Sequence, residues 1–170
     1  TTAGAALAEK SVTIGLTADP SHLYPLAGEE LSSNIMYYHL YDPLVKRSAD
    51  LSFGPGLAES WENVDDTTWR FKLREGVEFH NGKTMDSQDV VYSISGHMGD
   101  DSKSPAKPIV SQISEIRADG NNAVVMKLEA GNADFPVLMT DYHLVIMPDG
   151  SDPFDGVGTG PFSVAAYEPG

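Results

Sequence analysis

The sequence predicts a mixed α+β fold, and three observations predict it. Residues 68–74 alternate, with Trp69, Phe71 and Leu73 on one side and Thr68, Arg70, Lys72 and Arg74 on the other, the period of two of a strand with one wetted face. Residues 57–64 supply an antiparallel partner across Asp65 and Asp66, whose side chains hydrogen-bond their own backbone in turns. Asp86, with Asp89 three residues on, marks a helix start, because an N-cap carboxylate accepts first-turn N–H groups and acidic charge there meets the positive end of the helix dipole.

Taken in order, residues 11–17 alternate through Val12, Ile14 and Leu16 and read as a first strand ending at Ala18-Asp19-Pro20. After a Pro-containing loop, Ser32 or Ser33 caps a helix reaching about Tyr41, with Ile35, Met36, Tyr38, His39 and Leu40 as a broad apolar surface. Asp42-Pro43 ends it, since the residue before proline is pushed out of the helical region. The hairpin of residues 57–74 follows; Gly76 then breaks the strand pattern, and Asn81-Gly82 marks a tight turn that needs positive φ. The helix from Asp86 turns Val90, Ile94 and Tyr92 toward the core. A polar loop, 99–108, leads to a second hairpin: Ile113 and Ile116 in one arm, Asp119-Gly120-Asn121-Asn122 as turn, and Val124, Met126 and Leu128 alternating in the other. Residues 133–139 form a short helix begun or kinked by Pro136, 144–147 a short buried strand, and 162–167 a strand in need of a partner. There is no internal repeat and no low-complexity tract.

Composition excludes several classes. Lys plus Arg number 11 against 25 Asp plus Glu, a net charge of −14, which argues against nucleic acid because phosphate binding needs local positive charge. The longest basic feature is Lys46-Arg47. With no cysteine there is no disulfide framework, thiolate metal site or thiol nucleophile. The five histidines show no His-x-x-x-His spacing, so neither a metal nor another cofactor is expected. No serine sits in a Gly-x-Ser-x-Gly elbow, and Gly158-Thr159-Gly160 lacks the lysine and spacing of a phosphate loop; its glycines and Pro161 instead give the backbone freedom of a crossing between subdomains. Ala6-Leu7-Ala8 has the Ala-x-Ala form read by signal peptidase, ahead of a polar Glu9-Lys10, so residues 1–8 are expected to be a signal-peptide remnant or a disordered tail. No later apolar run approaches the roughly 20 residues of a membrane helix.

Read together, Leu-Ala-Glu-Ser-Trp at 57–61, the aromatic and basic strand running into Arg-x-Gly-Val-x-Phe at 74–79, His-x-Gly-Lys at 80–83 and the helix start at 86–93 resemble the family 5 extracellular solute-binding proteins. This is the oligopeptide, dipeptide and nickel class that serves ABC importers. Tyr41-Asp42-Pro43-Leu44-Val45 upstream and Gly158-Thr159-Gly160-Pro161-Phe162 downstream agree with it, while Asp86-Ser87-Gln88 replaces a more usual Thr-Ala-Glu and keeps a capping side chain. The combination is specific where each piece alone is weak, and it covers about residues 12–170. The resemblance implies a periplasmic-binding-protein-like fold of two lobes around a cleft, of which this chain holds part of lobe I and a small inserted subdomain, the second lobe being missing. It implies residues 9–40 as the first part of lobe I, 41–147 as the small α+β subdomain and 148–170 as the return into lobe I. The implied function is periplasmic capture of peptides or a related small solute and its delivery to the transmembrane subunits of an ABC permease, without catalysis.

Two loops carry the expected ligand contacts. Leu26, Ala27, Gly28, Glu29 and Glu30 follow the first strand and by resemblance lie at the cleft, where a carboxylate pairs with a peptide amino terminus or another cation; the competing reading has Glu29 and Glu30 merely favouring the dipole of the next helix. In residues 102–107, Ser104 and Lys107 by resemblance approach the cleft from the side, against a plain solvated loop. His80, beside the Asn81-Gly82 turn, is expected to fix local hydrogen bonds. The rivals are an acidic secreted hydrolase, which needs a cleft of converging titratable groups with shifted pKa values, and a domain used only for protein interaction.

Overall fold

A computed structural model of the chain describes residues 11–16, 18, 20, 22–26, 31–152 and 154–168; the expectation for residues 1–8 lies outside them. The elements run α1 (Leu31–Leu40), β1 (Val45–Arg47), β2 (Phe53–Pro55), β3 (Ala58–Asp65), β4 (Thr68–Leu73), α2 (Ser87–Ser95), α3 (Lys107–Val110), β5 (Ile113–Ala118), β6 (Ala123–Leu128) and α4 (Phe135–Leu138). The class is the mixed α+β predicted.

Both hairpins form, and they join through β4 and β6 into one antiparallel sheet in the order β3-β4-β6-β5. The register explains the join. Trp69 lies opposite Met126 and Phe71 opposite Val124, and directly opposed residues point to the same face, so the apolar sides of the two hairpins fuse into one surface. The edge strands have apolar residues spaced by three rather than two: Ala58 and Trp61 in β3, Ile113 and Ile116 in β5. A register shift in each, between Ala58 and Ser60 and between Ile113 and Glu115, takes up the odd residue and keeps both on the inner side. Phe71, Val124 and Met126 are fully buried, while Arg70, Lys72, Glu59, Glu62 and Asp119 on the outer side form ion pairs.

Helix α2 covers that surface. Asp86 accepts from the Gln88 and Asp89 N–H groups at 2.8 and 3.4 Å, and Asp89 accepts from Asp86 N–H at 2.8 Å, a reciprocal cap that leaves no first-turn donor wasted. The Ser87 N–H and hydroxyl donate to the carbonyls of Asn121 and Gly120 at 2.8 and 2.6 Å, which sets the helix start on the β5–β6 turn. Val90 and Ile94 are buried as expected, but Tyr92 stands at the surface, its place in the core taken by partly buried Val91. Asp89 is wholly enclosed; Lys83 and the N–H groups of Asp86 and Asp149 surround its carboxylate, the condition for tolerating a buried charge.

Apolar residues collect into two clusters. The larger lies between the sheet and α2 and includes Phe71, Leu73, Ile94, Met126 and Phe135. The smaller is built from Leu23, Tyr37, Leu40, Tyr41, Val145 and Met147. In α1 the buried residues are Ser32, Ser33, Tyr37 and Leu40, the last three at i, i+4 and i+7, and Tyr38, expected on the apolar surface, faces out.

Three expected strands are absent among the described residues. Residues 11–16 are in no strand, and Val12 is 86% exposed; residues 162–167 are likewise unpaired, with Phe162 against the His39 ring. Residues 144–147 are buried but form only a single bridge, Val145 to Pro43. Alternation tells which side of a strand is apolar; a strand also needs a neighbouring strand for its N–H and C=O groups, and no strand lies beside 11–16 or 162–167 among the described residues.

Candidate functional site

The segment leading into the first expected ligand loop is held by two tyrosines of the α1 region. The Tyr37 hydroxyl donates to the Tyr24 carbonyl at 2.9 Å, and the Tyr41 hydroxyl to the Leu23 carbonyl at 2.9 Å. Burial, with Tyr37 and Asp155 adding to it, pushes the Tyr41 phenol far above its ordinary pKa, so it stays a donor. Phe154 packs on Tyr24 at 5.0 Å between ring centroids. Leu26 then enters a small pocket of about 120 Å³ with Tyr92 and Gly96; a Cβ on Gly96 would stand 2.8 Å from its Cδ2. Ala27, Gly28, Glu29 and Glu30 lie outside the described residues.

The second expected loop reaches the same end of α2. Ser104 is buried, its Oγ 2.6 Å from His97 Nδ1 and accepting from Ala106 N–H at 3.1 Å. Leu26 and Ser104 therefore meet adjacent residues, Gly96 and His97. Lys107 points elsewhere, its ammonium donating to the Asp100 carbonyl at 2.6 Å. The Ser104–His97 pair has the spacing of a nucleophile and its base, but His97 is 0% and Ser104 7% exposed, which leaves a substrate no approach. Burial pushes the His97 imidazole down to about 4, with the His143 charge adding and Asp141 and the His143 backbone opposing; among the described residues no partner of good hydrogen-bond geometry reaches its Nε2.

The crossing after residue 156 is fastened to the end of α1 and to His80. Gly160 and Phe162 N–H groups donate to the Leu40 and His39 carbonyls at 2.9 and 3.2 Å, satisfying acceptors at the end of α1 that have no partner within the helix. Such closeness requires glycine: a Cβ would stand 2.1 Å from the Leu40 oxygen at Gly158 and 2.4 Å from the His39 oxygen at Gly160. His80 accepts from Gly158 N–H at Nδ1 (3.2 Å) and so carries its proton on Nε2, which donates to the Gly160 carbonyl at 2.9 Å. The bonds expected to be local to His80 instead span about eighty residues of sequence.

Beside this crossing an open groove of about 760 Å³ runs between the end of α1, β1 and the loop after α4, within the roughly 300–1,000 Å³ of ligand sites. Its chemistry rests on Tyr38, Asp42, Lys46, Arg47, Asp141 and Tyr142, none of which the sequence reading singled out as contacts. Lys46 pairs with Asp42 at 2.8 Å, and the other Asp42 oxygen takes the Thr159 hydroxyl at 2.9 Å. Asp141 Oδ1 receives the His143 N–H and ring Nδ1–H at 2.9 and 2.8 Å. Burial by itself would raise the Asp141 carboxyl, but these bonds outweigh it and hold the group below the usual carboxylate range. The Tyr38 and Tyr142 rings stand 6.3 Å apart, Tyr142 stacked on His143 at 3.9 Å. A second depression of similar size, about 770 Å³, is lined by turn residues whose groups serve each other, as Asn122 serves Glu75 and Asp86 caps α2. The one signal for the groove in the sequence is Lys46-Arg47, a basic pair in an acidic chain.

Comparison with known proteins gives a consistent set. The family model described as bacterial extracellular solute-binding proteins, family 5 Middle, matches residues 52–170. The nickel-binding periplasmic protein of Escherichia coli K12 is 30% identical over 122 residues, 70% of this chain and 23% of that protein. The solved structure of AgaA from A. tumefaciens R10 with agropinic acid superposes with a TM-score of 0.82 at 26% identity, covering 89% of this chain and 32% of that one. The oligopeptide-binding protein AppA of Bacillus subtilis, solved with a nonapeptide, shares the fold with a TM-score of 0.79 at 23% identity, over 90% of this chain and 33% of that one. The chain thus spans between about a fifth and a third of the length of the relatives it matches. Among the described residues no helix is long and apolar enough to cross a membrane.

Proposed function

The chain belongs to the bacterial extracellular solute-binding proteins of family 5, binders rather than enzymes, and from that premise we propose that it forms one wall of a solute-capturing cleft. In this reading the whole protein works in the periplasm, closes two lobes over a peptide or related small solute and delivers it to the transmembrane subunits of an ABC permease. Residues 41–147 are the small α+β subdomain, and 9–40 with 148–170 belong to lobe I. The observation that carries the reading is the groove beside the crossing, where a residue from the end of α1, another from β1 and a third from the loop after α4 (Tyr38, Arg47 and Tyr142) face one space without any enclosed catalytic set. The larger apolar cluster, whose buried residues all lie between Leu44 and Ile146, supports a subdomain with its own core, while the smaller joins residues from both sides of the division. Leu26, Ala27, Gly28, Glu29 and Glu30 approach the ligand from the lobe, and Ser104 acts indirectly by fixing the loop that carries Lys107. A strain lacking the gene, fed radiolabelled di- to pentapeptides, tests it: uptake falls if the protein is the binding component, and unchanged uptake of every peptide refutes a peptide cargo.

A further inference from the structure

His80 meets the crossing at three points. Its backbone N–H donates to the Gly158 carbonyl at 2.9 Å, its Nδ1 accepts from the Gly158 N–H at 3.2 Å, and its Nε2–H donates to the Gly160 carbonyl at 2.9 Å. A backbone N–H can only donate and a carbonyl can only accept, so both ring bonds exist together for a single neutral tautomer. A doubly protonated ring has two donors, and its Nδ1–H would face the Gly158 N–H, donor against donor. Among the described residues no carboxylate is bonded to the ring to favour its charged form. The crossing, residues 156–162, carries no titratable side chain. Around it, Lys83 on the ring's own turn is held by Asp89 and Glu78 is exposed. At the end of α1, Asp42 is held by Lys46 and Thr159, and His39 Nδ1 lies 2.6 Å from the Ile35 carbonyl.

We propose that His80 is a proton-operated clasp: neutral, it holds the crossing against the 80–83 turn, and on taking up a proton it releases Gly158 and slackens one side of the groove. The release is one-sided. Gly160 and Phe162 keep their bonds to the Leu40 and His39 carbonyls, which need no proton change, so the crossing stays on the end of α1 while parting from the turn. The groove feels it through adjacent residues. Thr159 holds one oxygen of Asp42, whose other oxygen holds Lys46, and Pro161 lines the groove together with both. A histidine placed between two structural pieces and bonded in only one protonation state is the device by which acid shifts such an interface. The clasp stands on these bonds alone; its consequence for a solute, weaker capture in acid, rests on the cleft-wall reading.

The test uses the whole protein, with its histidines labelled with ¹⁵N, between about pH 8 and about pH 5, the range in which imidazole takes up its proton. NMR of the ring nitrogens, with the His80 signal assigned by its loss in His80→Gln, should show the proton on Nε2 at the upper end and both nitrogens protonated at the lower. Amide exchange over residues 156–162, corrected for the intrinsic effect of pH, should show Gly158 losing about fivefold or more of its protection as that ring titrates. His80→Gln has an amide acceptor and donor but no titration, and its protection at Gly158 should not follow pH; in His97→Gln the dependence should remain. Should His80→Gln not fold, the ring titration set against the exchange in the unsubstituted protein decides alone. A proton on Nδ1 at the upper end, protection that stays constant while the ring titrates, or a dependence that persists in His80→Gln or vanishes in His97→Gln overturns the clasp. Calorimetry with the mixed di- to pentapeptides at both pH values reads the consequence: binding weaker at the lower pH in the unsubstituted protein but not in His80→Gln supports the coupling to the groove. Equal binding at both pH values, with Gly158 released, overturns that coupling. No peptide binding at either pH overturns the peptide cargo of the cleft-wall reading and leaves the clasp to the exchange measurement.

Discussion

Lowering pH from 7 to 4.5 should destabilise the small subdomain through one residue, His97. Its imidazole is 0% exposed, bonds the Ser104 hydroxyl through Nδ1, and has its pKa depressed from 6.5 to about 4. A depressed base binds fewer protons folded than unfolded between those two values, so stability is fully present above about 6.5 and is lost as pH falls toward 4. The loss approaches about 3 kcal/mol, from roughly 1.4 kcal/mol per pKa unit. The charged form is costly because burial strips the ring of water and the neighbouring His143 adds to that cost, more than Asp141 and the His143 backbone give back. Below this window a second loss begins as Asp141, whose folded pKa is lowered, takes up its proton. Urea unfolding at pH 7, 6, 5 and 4.5, with and without His97→Gln, isolates the term, and the NMR titration of the His97 ring reports it directly. A His97 ring that titrates near 6.5, or a pH dependence unchanged in His97→Gln, would refute the reasoning.

Further substitutions separate the other contributions. Phe71→Ala removes a fully buried ring packed against Trp61 and Phe135 and should cost about 3–5 kcal/mol, read as a fall in the urea midpoint; an unchanged midpoint would place the core on the other side of the sheet. Asp86→Ala deletes the acceptor of two first-turn N–H groups and should cost about 1 kcal/mol by the same measurement. Gly158→Ala, whose Cβ would meet the Leu40 carbonyl, should cost about 1–3 kcal/mol and increase proteolysis around the crossing. Gly54→Ala, with open space around it, should do neither.

Local features of this fold were legible because their causes are local. The turn at Asp65, where the carboxylate accepts from Thr67 N–H at 2.9 Å, and the cap at Asp86 depend on side chains two or three residues from their partners. Pairing of β4 with β6 depends on chain segments about fifty residues apart, and nothing in either hairpin alone names its neighbour. The spacing of three between Ile113 and Ile116 departs from a strand's period of two, and the bulge that accounts for it is visible only in the pairing. His80 was assigned to its own turn because proximity in sequence was the only proximity available; in space it closes on Gly158 and Gly160. The groove was illegible for the same reason. Lys46-Arg47 stood out as charge, but which of the two is free depends on where Asp42 sits, and Tyr142 follows α4 with no periodicity to mark it. Family membership was the most legible property, since an ordered series of short motifs survives when each motif alone is ambiguous.

The central claim is that these residues build one wall of a cleft completed by the rest of a longer protein, and paired calorimetry tests it most directly. The 170-residue chain and the whole protein are titrated with the same di- to pentapeptides. One wall supplies part of the apolar contact and leaves the solute's charges partly hydrated, so the account predicts peptide binding by the whole protein and weak or no binding by the chain alone. Submicromolar binding by the chain alone, about −8 kcal/mol or beyond, would contradict it.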